Sequence, residues 1–140
     1  MHGHKRVGTT LQPIMKIPFV KYQGTGNDFV MIDNRTNRFV LSVAEIEKLC
    51  DRRFGIGSDG VILLRHEDGY DFRMEFFNPD GSKSFCGNGS RCAVNFARSI
   101  GMAGDQGEFM AIDGNHSFTF DTGIVKIRMR DVQGIETRGG

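Results

Sequence analysis

Residues 90–100, SRCAVNFARSI, constrain the fold more than any other stretch. At 3.6 residues per turn, Cys92, Ala93, Val94, Phe96, Ala97 and Ile100 spread apolar surface around most of a helix. Only Arg91, Asn95 and Arg98 form a narrow polar stripe. Such a helix is stable when other elements cover it on several sides. Gly101 is the stop expected at a C′ position. The rest of the chain must therefore supply a wrap.

Most of that remainder reads as strand. Residues 17–23 and 29–33 are the first two candidates, and 61–64, Val-Ile-Leu-Leu, the third. Residues 71–77 alternate, with Phe72, Met74 and Phe76 on one face and Arg73, Glu75 and Phe77 on the other, as in a half-buried strand. Beyond the helix, 109–113, 117–121 and 124–130 are short strands joined by the turns Gly114-Asn115 and Thr122-Gly123. A second helix is expected over 42–52. Ser42 and Glu45 have capping-box spacing, and Val43, Ile46, Leu49 and Cys50 share one face. The predicted class is α+β: antiparallel strands curled around a buried central helix.

A chain of 140 residues makes one domain of this kind. Residues 1–14 show no periodicity and read as a disordered leader or appended remnant, His2 and His4 included, before a domain over 15–140. Met15 is a candidate start, and the final ETRGG has no terminating element. With 39% hydrophobic and 25% charged residues the composition is that of a soluble protein. A net charge of +1 gives no reason to expect nucleic acid or an anionic membrane as partner. No apolar run approaches the ~20 residues of a membrane span, and no secretory signal is visible. Three cysteines make no disulfide framework, so reduced thiols in a cytoplasm are expected.

The chemistry is expected where the helix begins. Cys86 is followed by Gly87-Asn88-Gly89. A cysteine at a helix mouth faces unpaired backbone N–H groups and the positive end of the helix dipole, and both favour negative sulfur. The glycines let backbone approach a ligand and supply donors for an anion. A merely packed cysteine would not need such neighbours. A zinc pair of Cys86 and Cys92 has an unusual C-x5-C spacing and no second pair, so no metal is expected. Cys50 and Cys92 fall on buried helix faces.

Other loops are candidates for the same site. Residues 24–28 form either a plain hairpin turn or a ligand-binding turn in which Asn27 offers a donor and an acceptor. Asn78 opens an Asn-Pro-Asp-Gly turn and is either a turn former or a ligand contact. Residues 55–60 match G-x-G-x-x-G, but a helix precedes and a strand follows, the reverse of the dinucleotide fingerprint. His116, beside a turn, reads as structural or solvated.

Four ordered motifs carry a resemblance. Gly24-Thr25-Gly26-Asn27-Asp28-Phe29, Arg53-Phe54-Gly55-Ile56-Gly57-Ser58-Asp59-Gly60, Phe77-Asn78-Pro79-Asp80-Gly81 and Cys86-Gly87-Asn88-Gly89-Ser90-Arg91-Cys92 together resemble the N-terminal half of diaminopimelate epimerase, over about residues 15–130. The resemblance implies a cofactor-independent isomerase of lysine and cell-wall biosynthesis, interconverting LL- and meso-diaminopimelate. It implies two similar lobes, each a sheet around a central helix, with substrate between them. Cys86 matches the first of two catalytic cysteines. Asn27, Asn78, Gly87 and Asn88 match substrate contacts, and Gly60 stands where some members carry a glutamine. The segment Lys83-Ser84-Phe85 is one residue shorter than the family pattern. The partners implied are diaminopimelate, a C-terminal lobe absent from this sequence and a possible homodimer. The rival readings are an inactive binding or association module and a related two-lobed racemase or isomerase with another substrate.

Overall fold

The computed structural model describes residues 5–12, 15–24 and 26–128. Eight strands form one sheet in sequence order: β1 Lys5–Gln12, β2 Met15–Gln23, β3 Asp28–Asp33, β4 Val61–Arg65, β5 Phe72–Phe77, β6 Gln106–Ala111, β7 Gly114–Asp121 and β8 Ile124–Arg128. Two helices interrupt the run, α1 (Val43–Cys50) between β3 and β4 and α2 (Gly87–Ser99) between β5 and β6. These connections make β3/β4 and β5/β6 parallel. The other five pairings are antiparallel, so the sheet is mixed where antiparallel strands were expected.

The helices lie against opposite faces, and the sequence explains why. In β3, Phe29 and Met31 point to the α2 side while Val30 and Ile32 point to the α1 side. In β4, Ile62 and Leu64 point to the α2 side while Val61 and Leu63 point to the α1 side. Strands covered on both faces are apolar at every position, which accounts for the unbroken Val-Ile-Leu-Leu run. β5 alternates because only its α2 face is fully covered: Phe72, Met74 and Phe76 are buried, and the residues between them are half-buried.

α2 is the expected central helix. It touches β3, β4 and β5 and also β8 at the far end of the strand order, so the sheet curls around it as a half-barrel. Cys92, Ala93, Val94 and Ala97 are fully buried. Their burial is worth roughly 1.5–3 kcal/mol for a side chain the size of Val94. Gly101 follows with φ +79°, as predicted for the stop.

One expectation is corrected at the start. The disordered leader over 1–14 does not hold for Lys5–Gln12, which runs antiparallel to β2 over eight residue pairs, Lys5 opposite Tyr22 and Gln12 opposite Met15. The periodicity signal failed because an edge strand needs backbone pairing more than an apolar stripe. A Cβ at Gly8 would come within 2.7 Å of the Phe19 ring tip, so a side chain there would require that ring to move. His2, His4 and the final ETRGG lie outside the described residues.

Candidate active site

The four motifs converge at one end of the sheet. Asn27 directly precedes β3, and Asp59 and Gly60 directly precede β4, which is parallel to it. Asn78 directly follows β5, which is antiparallel to β4 and so finishes at the same end. The N-terminus of α2 lies against this end of β4. An ideal Cβ on Gly89 would sit 3.1 Å from Ile62 Cδ1 and 3.5 Å from Cys86 Sγ, so the helix start packs closely on β4 and a side chain at 89 would require Ile62 to give by a few tenths of an ångström.

Cys86 is the N-cap of α2. Its backbone is extended (φ −130°, ψ 118°), and Sγ accepts from Gly89 N–H at 3.4 Å. The helix starts at Gly87, three residues before the periodicity suggested, so Gly87, Asn88 and Gly89 form its first turn. A helix start leaves its first N–H groups without partners inside the helix, and here Gly89 N–H turns to Cys86 Sγ. No acidic residue lies in that turn. Cys86 is half-buried, and a Cβ on Gly87 would meet nothing within 4 Å, so this face of the turn is open.

Asn27 and Asn88 are joined directly, Asn88 Nδ2 donating to Asn27 Oδ1 at 2.8 Å. Asn27 Nδ2 donates to Asp59 Oδ2 at 3.3 Å, and the same oxygen accepts from Asp28 N–H at 3.0 Å. Beneath them Asp28 receives Arg52 through two bonds of 3.0 and 2.8 Å, and Lys21 Nζ at 2.9 Å. The Arg52 guanidinium, helped by Lys21, holds the Asp28 carboxyl well below the usual carboxylate range against the opposing effect of burial. Asp28 and Asp59 were not singled out from the sequence. The available signal was a carboxylate immediately beside each of two glycine-containing loops.

Asn78 has a different place. Its amide nitrogen lies within hydrogen-bonding reach of Ser82 O and Oγ, both at 3.2 Å, and Ser84 Oγ at 3.0 Å. These bonds tie up the loop that leads to Phe85 and Cys86, as a turn former would. Phe85 in turn stacks on His116 with ring centroids 4.4 Å apart. His116 is 1% exposed and its Nε2 lies 2.8 Å from Asp113 Oδ1, a structural position behind the loop that leads to Cys86. At Gly60 a Cβ would come within 2.4 Å of the Phe76 ring and 2.9 Å of Phe77 O, so a side chain there, glutamine included, does not fit this backbone without a shift.

The other two cysteines are buried. Burial pushes the Cys92 thiol up to about 11 and raises that of Cys50 as well. A cavity of about 310 Å³ lies on the α1 side of the sheet, lined by Phe39, Leu63, Arg65, Glu75, Phe77 and Lys83 among others, and contains none of the predicted site residues.

A half-barrel around one helix, with a cysteine capping that helix's N-terminus, is the fold of one lobe of the two-lobed isomerase class. Solved structures share it at low identity. A hydroxyproline epimerase from Agrobacterium vitis, with bound trans-4-OH-L-proline, matches with TM-score 0.57 and 15% identity over 90% of this chain and 45% of that one. A phenazine biosynthesis PhzC/PhzF protein from Clostridium difficile matches with TM-score 0.57 and 16% identity over 91% and 50%. Within that fold class the chain belongs to the diaminopimelate epimerase family, whose model matches residues 19–139. It is 50% identical over 116 residues to the diaminopimelate epimerase of Flavobacterium psychrophilum, covering 81% of this chain and 45% of that protein. It is 48% identical over 108 residues to the chloroplastic diaminopimelate epimerase of rice (Oryza sativa subsp. japonica), covering 75% and 28%. The chain thus spans less than half the length of these relatives.

Proposed function

We propose that this chain is the first-cysteine lobe of a cofactor-independent epimerase that interconverts LL- and meso-diaminopimelate, in lysine and cell-wall biosynthesis in a cytoplasm. The observation that carries the reading is Cys86 Sγ at the open first turn of α2, beside the linked amides of Asn27 and Asn88. Inversion at an α-carbon removes a proton from one face and returns one to the other. A base and an acid on opposite sides accomplish this without turning the substrate over. In this reading Cys86 takes or gives the proton on one face, passing between thiolate and thiol. A second cysteine, from the C-terminal lobe, performs the converse step on the other face.

The carbanion formed between those steps has its charge spread onto the α-carboxylate. Backbone N–H groups of Gly87 and Asn88 at a helix N-terminus are suited to hold that charge. Asn27 and Asn88 are suited to orient the carboxylate and ammonium groups. Asn78 serves in this reading by holding the loop that ends in Cys86, with direct substrate contact its further role. Closure of a second lobe would exclude water and strengthen these bonds.

The test is incubation of the purified chain with LL-diaminopimelate in deuterated, reducing buffer. The chain alone forms no meso product, because it brings one half-buried thiol, Cys86, to one face of the α-carbon and its other two cysteines are buried. Addition or fusion of a C-terminal lobe restores both epimerisation and α-deuteration. Robust turnover by the lone chain, abolished by Cys86→Ala, would overturn the two-lobe requirement and indicate two Cys86 loops paired in a homodimer.

A further inference from the structure

Four side chains form one run of hydrogen bonds across the mouth of the site. Arg91 Nη2 donates to Asn88 Oδ1. Asn88 Nδ2 donates to Asn27 Oδ1 at 2.8 Å, and Asn27 Nδ2 donates to Asp59 Oδ2 at 3.3 Å. The two ends of this run differ in kind. A guanidinium has only donors, and an ionised carboxylate has only acceptors. Each amide between them carries both, and a half-turn about its last torsion exchanges them.

Only one polarity satisfies all three contacts. Arg91 requires the oxygen of Asn88, which turns the Asn88 NH2 toward Asn27. Asn27 must then present its own oxygen, and its NH2 is left facing Asp59. Reversing both amides keeps the middle bond but sets N–H against guanidinium and carbonyl against carboxylate. Reversing one amide breaks two contacts. The Asp59 end is itself anchored, by Asp28 N–H at 3.0 Å and by Arg52 Nη2 at 3.1 Å on its other oxygen.

We propose that Arg91 and Asp59 are positioning residues that fix the amide orientation of Asn88 and Asn27, and thereby decide which edge of each amide meets the ammonium and carboxylate of an amino-acid substrate. The proposal rests on the reading of these two asparagines as substrate contacts. Its consequence is specific. An amide flip puts an acceptor where the carboxylate needs a donor, so the ends of the run control substrate orientation without touching substrate.

Either end alone is enough to impose the polarity, which separates this role from simple structural support. The test is side-chain amide NMR of the asparagine-labelled chain, with hydrogen exchange at Asn27 and Asn88. Arg91→Gln and Asp59→Asn singly keep one set of signals, with exchange changed less than about threefold. The double variant loses the polarity and shows two sets of signals or exchange at least roughly tenfold faster, a non-additive result. Arg91→Lys with Asp59→Asn keeps one set, because lysine remains a pure donor. If the doubly neutral chain does not fold, Arg91→Glu takes its place. Two acceptor-only ends break the Asn88–Asn27 bond, with the same tenfold acceleration. Additive behaviour of the double variant, or an unchanged Asn88–Asn27 bond in Arg91→Glu, overturns the proposal. The readout needs neither substrate nor a second lobe, so its failure and a failed epimerase assay are separate results.

Discussion

At the start of α1, Ser42 Oγ accepts from Glu45 N–H at 3.1 Å while the Glu45 carboxylate accepts from Ser42 N–H at 2.8 Å. The helix satisfies two of its own free donors in this way and places a negative charge in its first turn. At the start of α2, the cap is a sulfur 3.4 Å from one N–H, the first turn is Gly-Asn-Gly, and no carboxylate lies in that turn. One sheet thus carries a closed helix start on one face and an open one on the other. The difference is chemical: the α1 start carries a carboxylate of its own against the helix dipole, and the α2 start carries none, which leaves its positive end uncompensated by its own first turn.

The largest expected effect tests the open start. In a completed two-lobe enzyme, Cys86→Ala lowers turnover by about 10³-fold or more, as expected for loss of an essential acid/base group. Ser42→Ala at the closed start leaves turnover within about twofold, since only stability depends on it. Steady-state kinetics per folded molecule measure both. Equal losses at the two caps would erase the distinction.

The cysteines sharpen it further. Each helix has a buried thiol, Cys50 in α1 and Cys92 in α2, and only α2 adds a third at its cap. Iodoacetamide in limiting amount labels Cys86 in the folded chain at least roughly 100-fold faster than Cys92, because alkylation requires an accessible thiolate. Peptide mass mapping reads the ratio. Comparable labelling of Cys92 would place the reactive thiol inside the helix instead of at its mouth.

Much of this was legible because it is local. The capping box is written in Ser42 and Glu45, and the wrap around α2 in the apolar girth from Cys92 to Ala97. The motif glycines and Cys86 marked the turn that opens α2. What stayed hidden depends on partners far along the chain. Asn27 meets Asn88 across 61 residues and Asp59 across 32, which spacing alone does not disclose. β1 was missed for the same reason, since its evidence is its pairing with β2. The first turn of α2 was placed late because Gly87 and Gly89 carry low helix propensity, and their place at the helix start follows from tertiary packing that the local sequence does not show.

The same geometry predicts a pH dependence with two limbs. Cys92 is raised to about 11 by burial, so its contribution to stability is full below its ordinary value and is lost as pH rises toward 11. The loss amounts to roughly 2–3 kcal/mol at the alkaline end and is removed in Cys92→Ala relative to that variant's own neutral value. Asp28 is held low by Arg52 and Lys21, so its contribution is present above pH ~4 and lost as pH falls further. Asp28→Asn flattens that acid limb. Denaturant unfolding across pH measures both limbs. An alkaline limb unchanged in Cys92→Ala would assign it to other groups.

The smallest effect bears most directly on the two helix starts. Ser42→Ala removes an oxygen acceptor and half of a capping box, and costs about 1 kcal/mol. Cys86→Ser does the opposite. A hydroxyl accepts a hydrogen bond better than sulfur and is a preferred N-cap, so the variant gains up to about 0.5–1 kcal/mol of stability. The same variant loses turnover in a completed enzyme, because an alcohol does not exchange its proton near neutral pH as a thiol does. Thermal unfolding should therefore move in opposite directions at the two caps, by roughly 3–5 °C per kcal/mol. This is the signature of a cap chosen for chemistry over helix stability. If Cys86→Ser is destabilised as much as Ser42→Ala, the sulfur is held by its fit beside Gly89 and Ile62, and the α2 start is closed by packing just as the α1 start is closed by hydrogen bonds.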